Sequence, residues 1–271
     1  MIHLRWLRPL SLAPSFALAL AVSGCVSASR GPAAPPKPVS GTDVVQRMLS
    51  RYEGTWFRTM QFTQENTRFL ANGRTDRSQW KGFMLLPGRL RIEFQPASGN
   101  NGAIYADGNV YSFEGGRLSR TTPQLNILLV LTADVYGQPL ANTVRQLTTL
   151  GVDLARFRAD TFAGRPVWVV GGTGPKDLAT SQVWVDAQSW VALRVIDRPA
   201  QGTGLTAARP STEYRLGDYR VIDGVPVVHE IMFLRDGKQF LREQYTGVQL
   251  NTPMDARLFS SIQWKAAGRT P

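Results

Sequence analysis

The sequence has little of the chemistry that metal sites and nucleophilic catalysis require. Its 271 residues contain one cysteine, Cys25, and two histidines, His3 and His229. A zinc site needs several converging Cys, His or carboxylate ligands, and a nucleophile–histidine–acid triad needs a histidine base. We therefore expect no metal, no cofactor and no catalytic residues, hence a protein that is not an enzyme. A hydrolase with an unrecognised site that uses His229 is the least favoured alternative.

Long apolar runs are absent beyond the N-terminus. Residues 10–22 are almost wholly apolar, follow Arg5 and Arg8, and have no acidic residue before Cys25. This run is too short for a bilayer core, which needs about 20 apolar residues. A short basic region, an apolar run and small residues are typical of a cleavable secretory signal. We assign residues 1–24 to this signal.

The segment Val22-Ser23-Gly24-Cys25 resembles the lipobox of bacterial lipoproteins. The resemblance implies cleavage between Gly24 and Cys25, with diacylglycerol and an N-acyl chain (palmitate, for example) attached to Cys25. Acylation also explains an unpaired cysteine in an exported protein, and two lipid signals anchor far better than one. Because Val26, and not Asp, follows the cysteine, the resemblance favours the outer membrane of a Gram-negative bacterium, facing the periplasm. The alternative is an ordinary signal with a cysteine near its cleavage site.

Composition separates a tether from a folded part. Residues 25–40 are rich in proline and alanine, which favours a flexible, extended segment. Residues 41–271 are long enough for one domain. Removal of residues 1–24 takes away two basic residues and no acidic one, and lowers the formal net charge from +11 to +9. A basic balance is typical of proteins that bind anionic surfaces such as lipid head groups, whereas the scattered placement of the arginines favours an ordinary basic surface. The envelope location argues against nucleic acid.

Hydrophobic periodicity predicts a mixed α and β fold. Thr42 or Asp43 caps a first helix, which ends at Gly54, and alternating residues then predict strands with turns at Asp107-Gly108, Asp223-Gly224 and Asp236-Gly237. Two further helices are expected, one opened by Thr122-Pro123 and one over residues 139–150. Consecutive strands joined by tight turns predict an antiparallel sheet of about ten strands.

The order of these elements resembles the outer-membrane lipoprotein sorting and carrier superfamily, the LolA/LolB-like proteins. The matching segments are residues 62–64, 82–92, 104–113, 122–123 and 253–259. The resemblance implies an α+β fold: an unclosed antiparallel β half-barrel with helices covering its open side, and an apolar cavity for acyl chains between them. The candidate cavity residues are Phe62, Phe83, Leu85, Leu90, Ile92, Phe94, Tyr111, Phe113, Leu128 and Leu131. These residues could equally pack against each other as a filled core.

Two departures from the family bear on function. Soluble carriers lack a lipobox, and some have an arginine before the strand-turn proline, where this chain has Leu86. We therefore expect a membrane-anchored envelope lipoprotein that binds lipid or acyl chains, in lipoprotein sorting or lipid trafficking, with lipoproteins or another envelope protein as further partners. The alternative hypothesis is an envelope sensor or scaffold lipoprotein that binds a protein partner.

Overall fold

A computed structural model describes residues 36–174, 177–198, 211–262 and 264. The predicted signal, Gly24 and Cys25, and the predicted tether as far as residue 35 lie outside the described residues. The helices are α1 (Gly41–Arg51), α2 (Ile127–Thr132) and α3 (Leu140–Thr149). No helix in the described ranges has both the length and the apolar character needed to cross a membrane.

The strands are, in chain order, β1 (Thr59–Phe69), β2 (Thr75–Leu85), β3 (Arg89–Phe94), β4 (Gly102–Ala106), β5 (Asn109–Glu114), β6 (Arg117–Pro123), β7 (Phe157–Phe162), β8 (Arg165–Val170), β9 (Gln182–Asp186), β10 (Ala192–Asp197), β11 (Thr212–Gly217), β12 (Arg220–Ile222), β13 (Val225–Val227), β14 (Glu230–Arg235) and β15 (Lys238–Leu250). Short 3-10 turns occur at Ala97–Gly99, Asp134–Tyr136 and Ala256–Phe259. The sequence underestimated the number of strands, because several are only three to six residues long.

Among the described residues, thirteen strands form one antiparallel sheet in the order β6-β5-β4-β3-β2-β1-β15-β14-β11-β10-β9-β8-β7. The two remaining strands, β12 and β13, form a separate ribbon. The end strands β6 and β7 do not pair with each other, so the sheet is an unclosed half-barrel. The long strands β1, β2 and β15 lie at its centre, and β1 pairs with β15 from Met60↔Leu250 to Arg68↔Leu241.

Local chemistry fixes the hairpins. The predicted Asp-Gly turns all place both residues at positive φ, for example 52° at Asp107 and 74° at Gly108. This geometry matches the twist of a two-residue hairpin and favours Asp followed by Gly. These turns confirm the prediction of consecutive antiparallel strands.

The starts of two of the three helices, α1 and α2, were placed wrongly from sequence. Ser40, rather than Thr42 or Asp43, caps α1, and its hydroxyl accepts a hydrogen bond from the Asp43 amide at 3.0 Å. Thr122 and Pro123 belong to β6, and α2 begins only after Asn126. Pro123 is tolerated there because β6 is an edge strand, which has a neighbour on one side only.

The core lies between the helices and one face of the sheet, which we call the inner face. Val44, Val45 and Met48 of α1 are buried there, as the helical spacing predicted. A second, smaller cluster lies on the opposite, outer face of β3 to β5, where Phe259 and Trp264 pack on Ile104 and Phe113. The described part of the C-terminal segment, residues 254–262 and 264, therefore covers part of the outer face.

Candidate functional site

A cavity of about 290 Å³ lies between the inner face and the segment that carries α2. Its volume is close to the lower end of the range for small-molecule sites, roughly 300 to 1,000 Å³. The sheet contributes its floor, and residues 124–132 with Leu150 contribute its cover. The lining residues are Phe62, Gln64, Trp80, Met84, Leu90, Ile92, Tyr105, Gln124, Leu125, Asn126, Ile127, Leu128, Leu129, Thr132, Leu150, Asp197, Tyr214, Phe233, Glu243 and Tyr245.

Paired aromatic rings form much of the floor. The ring of Phe62 lies 4.5 Å from that of Tyr245, and the Tyr214 and Phe233 rings are 5.0 Å apart. Gly82 on β2 lies directly opposite Phe62, and a Cβ at this position would overlap the Phe62 ring. The glycine therefore lets the Phe62 ring lie flat across the centre of the sheet.

The cover is a short helix held by a strong cap. Asn126 Oδ1 accepts hydrogen bonds from the amides of Leu128 and Leu129, at 3.0 and 3.1 Å. Such a cap satisfies amides at the helix start that have no partner within the helix. Leu128 is half-buried and faces the cavity, whereas its neighbours Ile127 and Leu129 are buried in the core as well as lining it.

A buried carboxyl ties this cover to the sheet. Asp134, just after α2, accepts a hydrogen bond from the Gly88 amide in the β2–β3 turn at 2.8 Å. Burial raises the pKa of Asp134 to about 6, and the hydrogen bond from Gly88 opposes that rise. The turn that follows Leu86 is thus joined to the cover by a hydrogen bond to a carboxyl.

The most buried polar groups of the cavity wall are on β1 and β15. Glu243 is 8% exposed, and its Oε2 accepts a hydrogen bond from the Tyr245 hydroxyl at 3.1 Å. Gln64 hydrogen-bonds to Glu243 and donates to Asn66 Oδ1 at 2.7 Å. Burial raises the pKa of Glu243 to about 7, and the hydrogen bonds from Tyr245 and Gln64 offset part of this rise. The neutral form is therefore well populated near neutral pH.

The structure brings four of the ten predicted cavity residues into the lining: Phe62, Leu90, Ile92 and Leu128. Two others are on the inner side but do not line the cavity. Phe94 packs against Trp80 with 4.8 Å between their rings, and Leu131 is fully buried within α2. Contact of the four lining residues with a ligand stays a prediction.

The remaining four predicted residues, Phe83, Leu85, Tyr111 and Phe113, lie on the outer face, in the cluster with Trp264. The pairing register explains this placement. Met84 lies opposite Leu90, so the inner positions of β2 are the even-numbered ones, and Phe83 lies opposite Arg91. Successive side chains of a strand point to opposite faces of the sheet. Because β2 has apolar residues at both odd and even positions, its sequence did not show which set faces inward.

Sequence reasoning missed the lining residues of β14, β15 and the even positions of β2. Alternation does place Leu241, Glu243 and Tyr245 on one face of β15. A glutamate in such a row argues against a buried face, so only the cross-strand pairing Asn66↔Glu243 reveals its position.

The outer face holds a buried ion pair instead of a cavity. Arg91 Nε lies 2.7 Å from Glu93 Oε1, and Arg91 Nη1 donates to the Leu258 carbonyl at 2.8 Å. The Arg91 guanidinium also lies 3.7 Å from the centre of the Trp264 ring. Trp264 in turn donates to Asn100 Oδ1 at 2.9 Å.

His229 lies on the segment between β13 and β14, and its carbonyl accepts a hydrogen bond from the Tyr245 amide at 2.8 Å. It is 5% exposed, and its Nδ1 lies 2.9 Å from the Val227 carbonyl oxygen. Within the described ranges, no group of three or more His, Cys, Asp or Glu side chains could hold a metal ion.

Solved structures with a similar fold come from several bacteria. A DUF1329 family protein from Desulfovibrio piger matches with a TM-score of 0.54 at 12% identity, over 81% of this chain and 95% of that chain. A domain assigned to outer membrane lipoprotein sorting, from Vibrio parahaemolyticus, has a TM-score of 0.51 at 14% identity, over 81% and 95%. A LolA superfamily protein from Nitrosomonas europaea has a TM-score of 0.51 at 13% identity, over 80% and 97%.

No protein-family model matches the sequence, and a search of curated proteins finds no relative. At these identities the structural likeness concerns the fold. It confirms the predicted α+β, LolA-like architecture: a large antiparallel sheet, not closed into a barrel, with helices.

Proposed function

We propose that this chain is an envelope lipoprotein that holds a lipid acyl chain in the cavity between the half-barrel and α2. The observation that carries the proposal is the aromatic floor beneath a short, separately capped cover. Transfer of an acyl chain from water into such a site contributes about 25 cal/mol per Å² of apolar surface buried. The LolA-like fold, shared with a lipoprotein-sorting domain, supports lipid or lipoprotein handling as its purpose.

The proposed place of action is the periplasmic side of the outer membrane. Its support is the lipobox-like segment before Cys25, which implies a diacylglycerol and N-acyl anchor. An anchored protein cannot diffuse between membranes, so we propose a fixed acceptor or lipid-handling role. Metabolic labelling with an alkyne palmitate tests the anchor: we expect label on the natural chain and none on Cys25→Ser, and equal labelling of both would refute it.

Photo-cross-linking in cells tests lipid binding by the full-length chain. A photoreactive amino acid at position 128 lies against the cavity, whereas the same residue at Leu118 lies on the exposed edge strand β6, 48% accessible. We expect adducts of lipid mass at position 128 and not at 118.

Two outcomes would contradict the proposal. One is an equal yield of lipid adducts at positions 128 and 118, which would indicate contact with the bilayer alone. The other is a single dominant protein adduct at position 128 without lipid, which would favour the sensor or scaffold hypothesis.

A further inference from the structure

The cavity lining is unusual in its charge. It holds two carboxyl groups, Glu243 and Asp197, and among the described lining residues none is Lys or Arg. Asp197 is the last residue of β10, and Glu243 lies on the central strand β15. A ligand that carries an anionic group into this cavity would meet no cationic side chain of the lining.

Glu243 is placed to meet a ligand rather than another charged residue. It lies opposite Asn66 on β1 and Ile231 on β14, and neither carries a charge. Its hydrogen-bonding neighbours Tyr245 and Gln64 are also uncharged, unlike the Arg91 that accompanies Glu93 on the outer face. An ionised carboxylate in such surroundings is less favourable than one in water.

A protonated carboxyl in the wall has one O–H group to donate. The Tyr245 hydroxyl already donates to Oε2, so the carboxyl proton is the group that can turn toward an acceptor. Acyl esters and amides supply such an acceptor: an uncharged carbonyl at the end of the apolar chain. A free fatty acid near neutral pH presents instead a carboxylate, which lacks a cationic partner here.

We propose that Glu243 is a specificity residue that donates a hydrogen bond to the ester or amide carbonyl of an acyl chain held in the cavity. The inference rests on the proposed function and deepens it by naming the ligand class: uncharged acyl esters or amides, in preference to free fatty acids. Since only the protonated form donates, binding weakens as Glu243 ionises.

Other titratable groups also line the cavity. The remaining titratable side chains of the lining are Tyr105, Tyr214, Tyr245 and Asp197. Burial raises the pKa of Tyr245 well above its usual value, so it keeps its proton over the working range. Asp197 is the one other lining carboxyl, and Asp197→Asn distinguishes its contribution from that of Glu243.

The test uses two photoreactive probes of equal chain length, a monoacylglycerol ester and the matching monoalkylglycerol ether, which lacks the carbonyl. The full-length chain is reconstituted in nanodiscs of ether-linked phosphatidylcholine, so that the bilayer contributes no ester. Cross-linked peptides from residues 124–132 report occupancy of the cavity. At pH 5.5 we expect the ester to label these peptides up to about tenfold more than the ether, the order expected for one hydrogen bond.

Between pH 5.5 and 8.5 the ester yield should fall by up to about tenfold, toward that of the ether, because Glu243, with its pKa near 7, is almost fully ionised at the higher pH and the ionised form cannot donate the hydrogen bond. Glu243→Gln keeps an N–H donor but cannot ionise, so the ester preference should persist at both pH values. Glu243→Leu should lose the preference. Glu65→Gln, on an exposed residue of β1, is the matched control and should behave as the natural chain does.

The outcomes separate the two proposals. If neither probe labels residues 124–132 at either pH, the acyl-chain function itself fails. If both probes label equally in the natural chain, or Glu243→Gln retains the full pH dependence while Asp197→Asn removes it, the role of Glu243 is refuted and acyl binding stands.

Discussion

Two glutamates of similar burial lie on opposite faces of one sheet and have different partners. Glu93, 4% exposed on the outer face, is paired with Arg91 beneath the C-terminal segment. Glu243, 8% exposed on the inner face, has the uncharged Tyr245 and Gln64 as its hydrogen-bonding partners among the described residues. A buried charge is tolerated when it is paired, and an unpaired carboxyl is driven toward its neutral form. The outer site is thus a filled core, and the inner one is the wall of a cavity.

The ion pair on the outer face should give the largest effect. Arg91→Met leaves Glu93 buried without its cation, and loss of one partner of a buried pair costs about 3 to 5 kcal/mol. Urea unfolding measures this change in the free energy of unfolding. The control is Arg257→Met, whose side chain is 90% exposed beside Asp255 and should have little influence. Equal effects of the two variants would show that the pair does not hold this face together.

The C-terminal cover of the same face should come next. Trp264→Ala removes the ring that lies 4.6 Å from Phe113 and 3.7 Å from the Arg91 guanidinium. Truncation of a buried tryptophan costs on the order of 3 kcal/mol. Ile262→Ala is a suitable control, since Ile262 is 89% exposed. A midpoint of urea unfolding that moves no further for Trp264→Ala than for Ile262→Ala would contradict the packing described.

On the inner face, stability should depend on pH through Glu243. Its pKa is raised from 4.5 to about 7 by burial, so between these values the folded protein keeps a proton that the unfolded chain has released. Stability therefore falls as pH rises through this window, by about 3 kcal/mol. We expect Glu243→Gln to flatten this slope in urea unfolding followed from pH 4 to 8.

A second buried carboxyl contributes in the same direction. Asp134, with its pKa raised to about 6, should leave a smaller residual slope in Glu243→Gln. The double variant with Asp134→Asn should lose most of the remaining pH dependence of the free energy of unfolding. The exposed control Glu65→Gln should keep the full slope, and a flat natural profile would contradict the burial of Glu243 without a cation.

The smallest effect is expected in the cover of the cavity. Asn126→Ala removes the side chain that accepts hydrogen bonds from Leu128 and Leu129, and loss of such a cap costs about 1 kcal/mol. Asn142→Ala, within α3, is the control and should change stability by less than about 0.5 kcal/mol. Hydrogen exchange at the Leu128 and Leu129 amides should speed up only in Asn126→Ala. Unchanged protection there would show that the cap does not hold α2.

The sequence predicted local features well where the chemistry is local. The Asp107-Gly108 turn and the apolar stripe of α1 follow from backbone preference and periodicity, and both are present. The start of α2 was misplaced, because Pro123 is acceptable both at a helix start and at the end of an edge strand. Which of the two occurs depends on whether β5 pairs with that segment, and pairing is a property of the whole sheet.

The candidate site was predictable only in part. Four of the predicted residues line the cavity: Phe62, Leu90, Ile92 and Leu128. Phe83 on β2 and Tyr111 on β5 lie on the outer face, because the sequence of each strand alone does not show which of its two faces is the inner one. A shift of one residue in register exchanges the faces. Because apolar residues occur at both odd and even positions, either set could be assigned to the inner face.

By itself, the sequence determined the class of fold, the positions of the tight turns, and the scarcity of residues for metal or nucleophilic chemistry. Tertiary structure decided which face of each strand is covered and by what. Arg91 donates a hydrogen bond to the Leu258 carbonyl, 167 residues away in the sequence. Glu243 lines the cavity because β15 pairs with β1 at the centre of the sheet. The desolvation and the partners of a buried charge depend on distant segments brought together, and no local pattern encodes them.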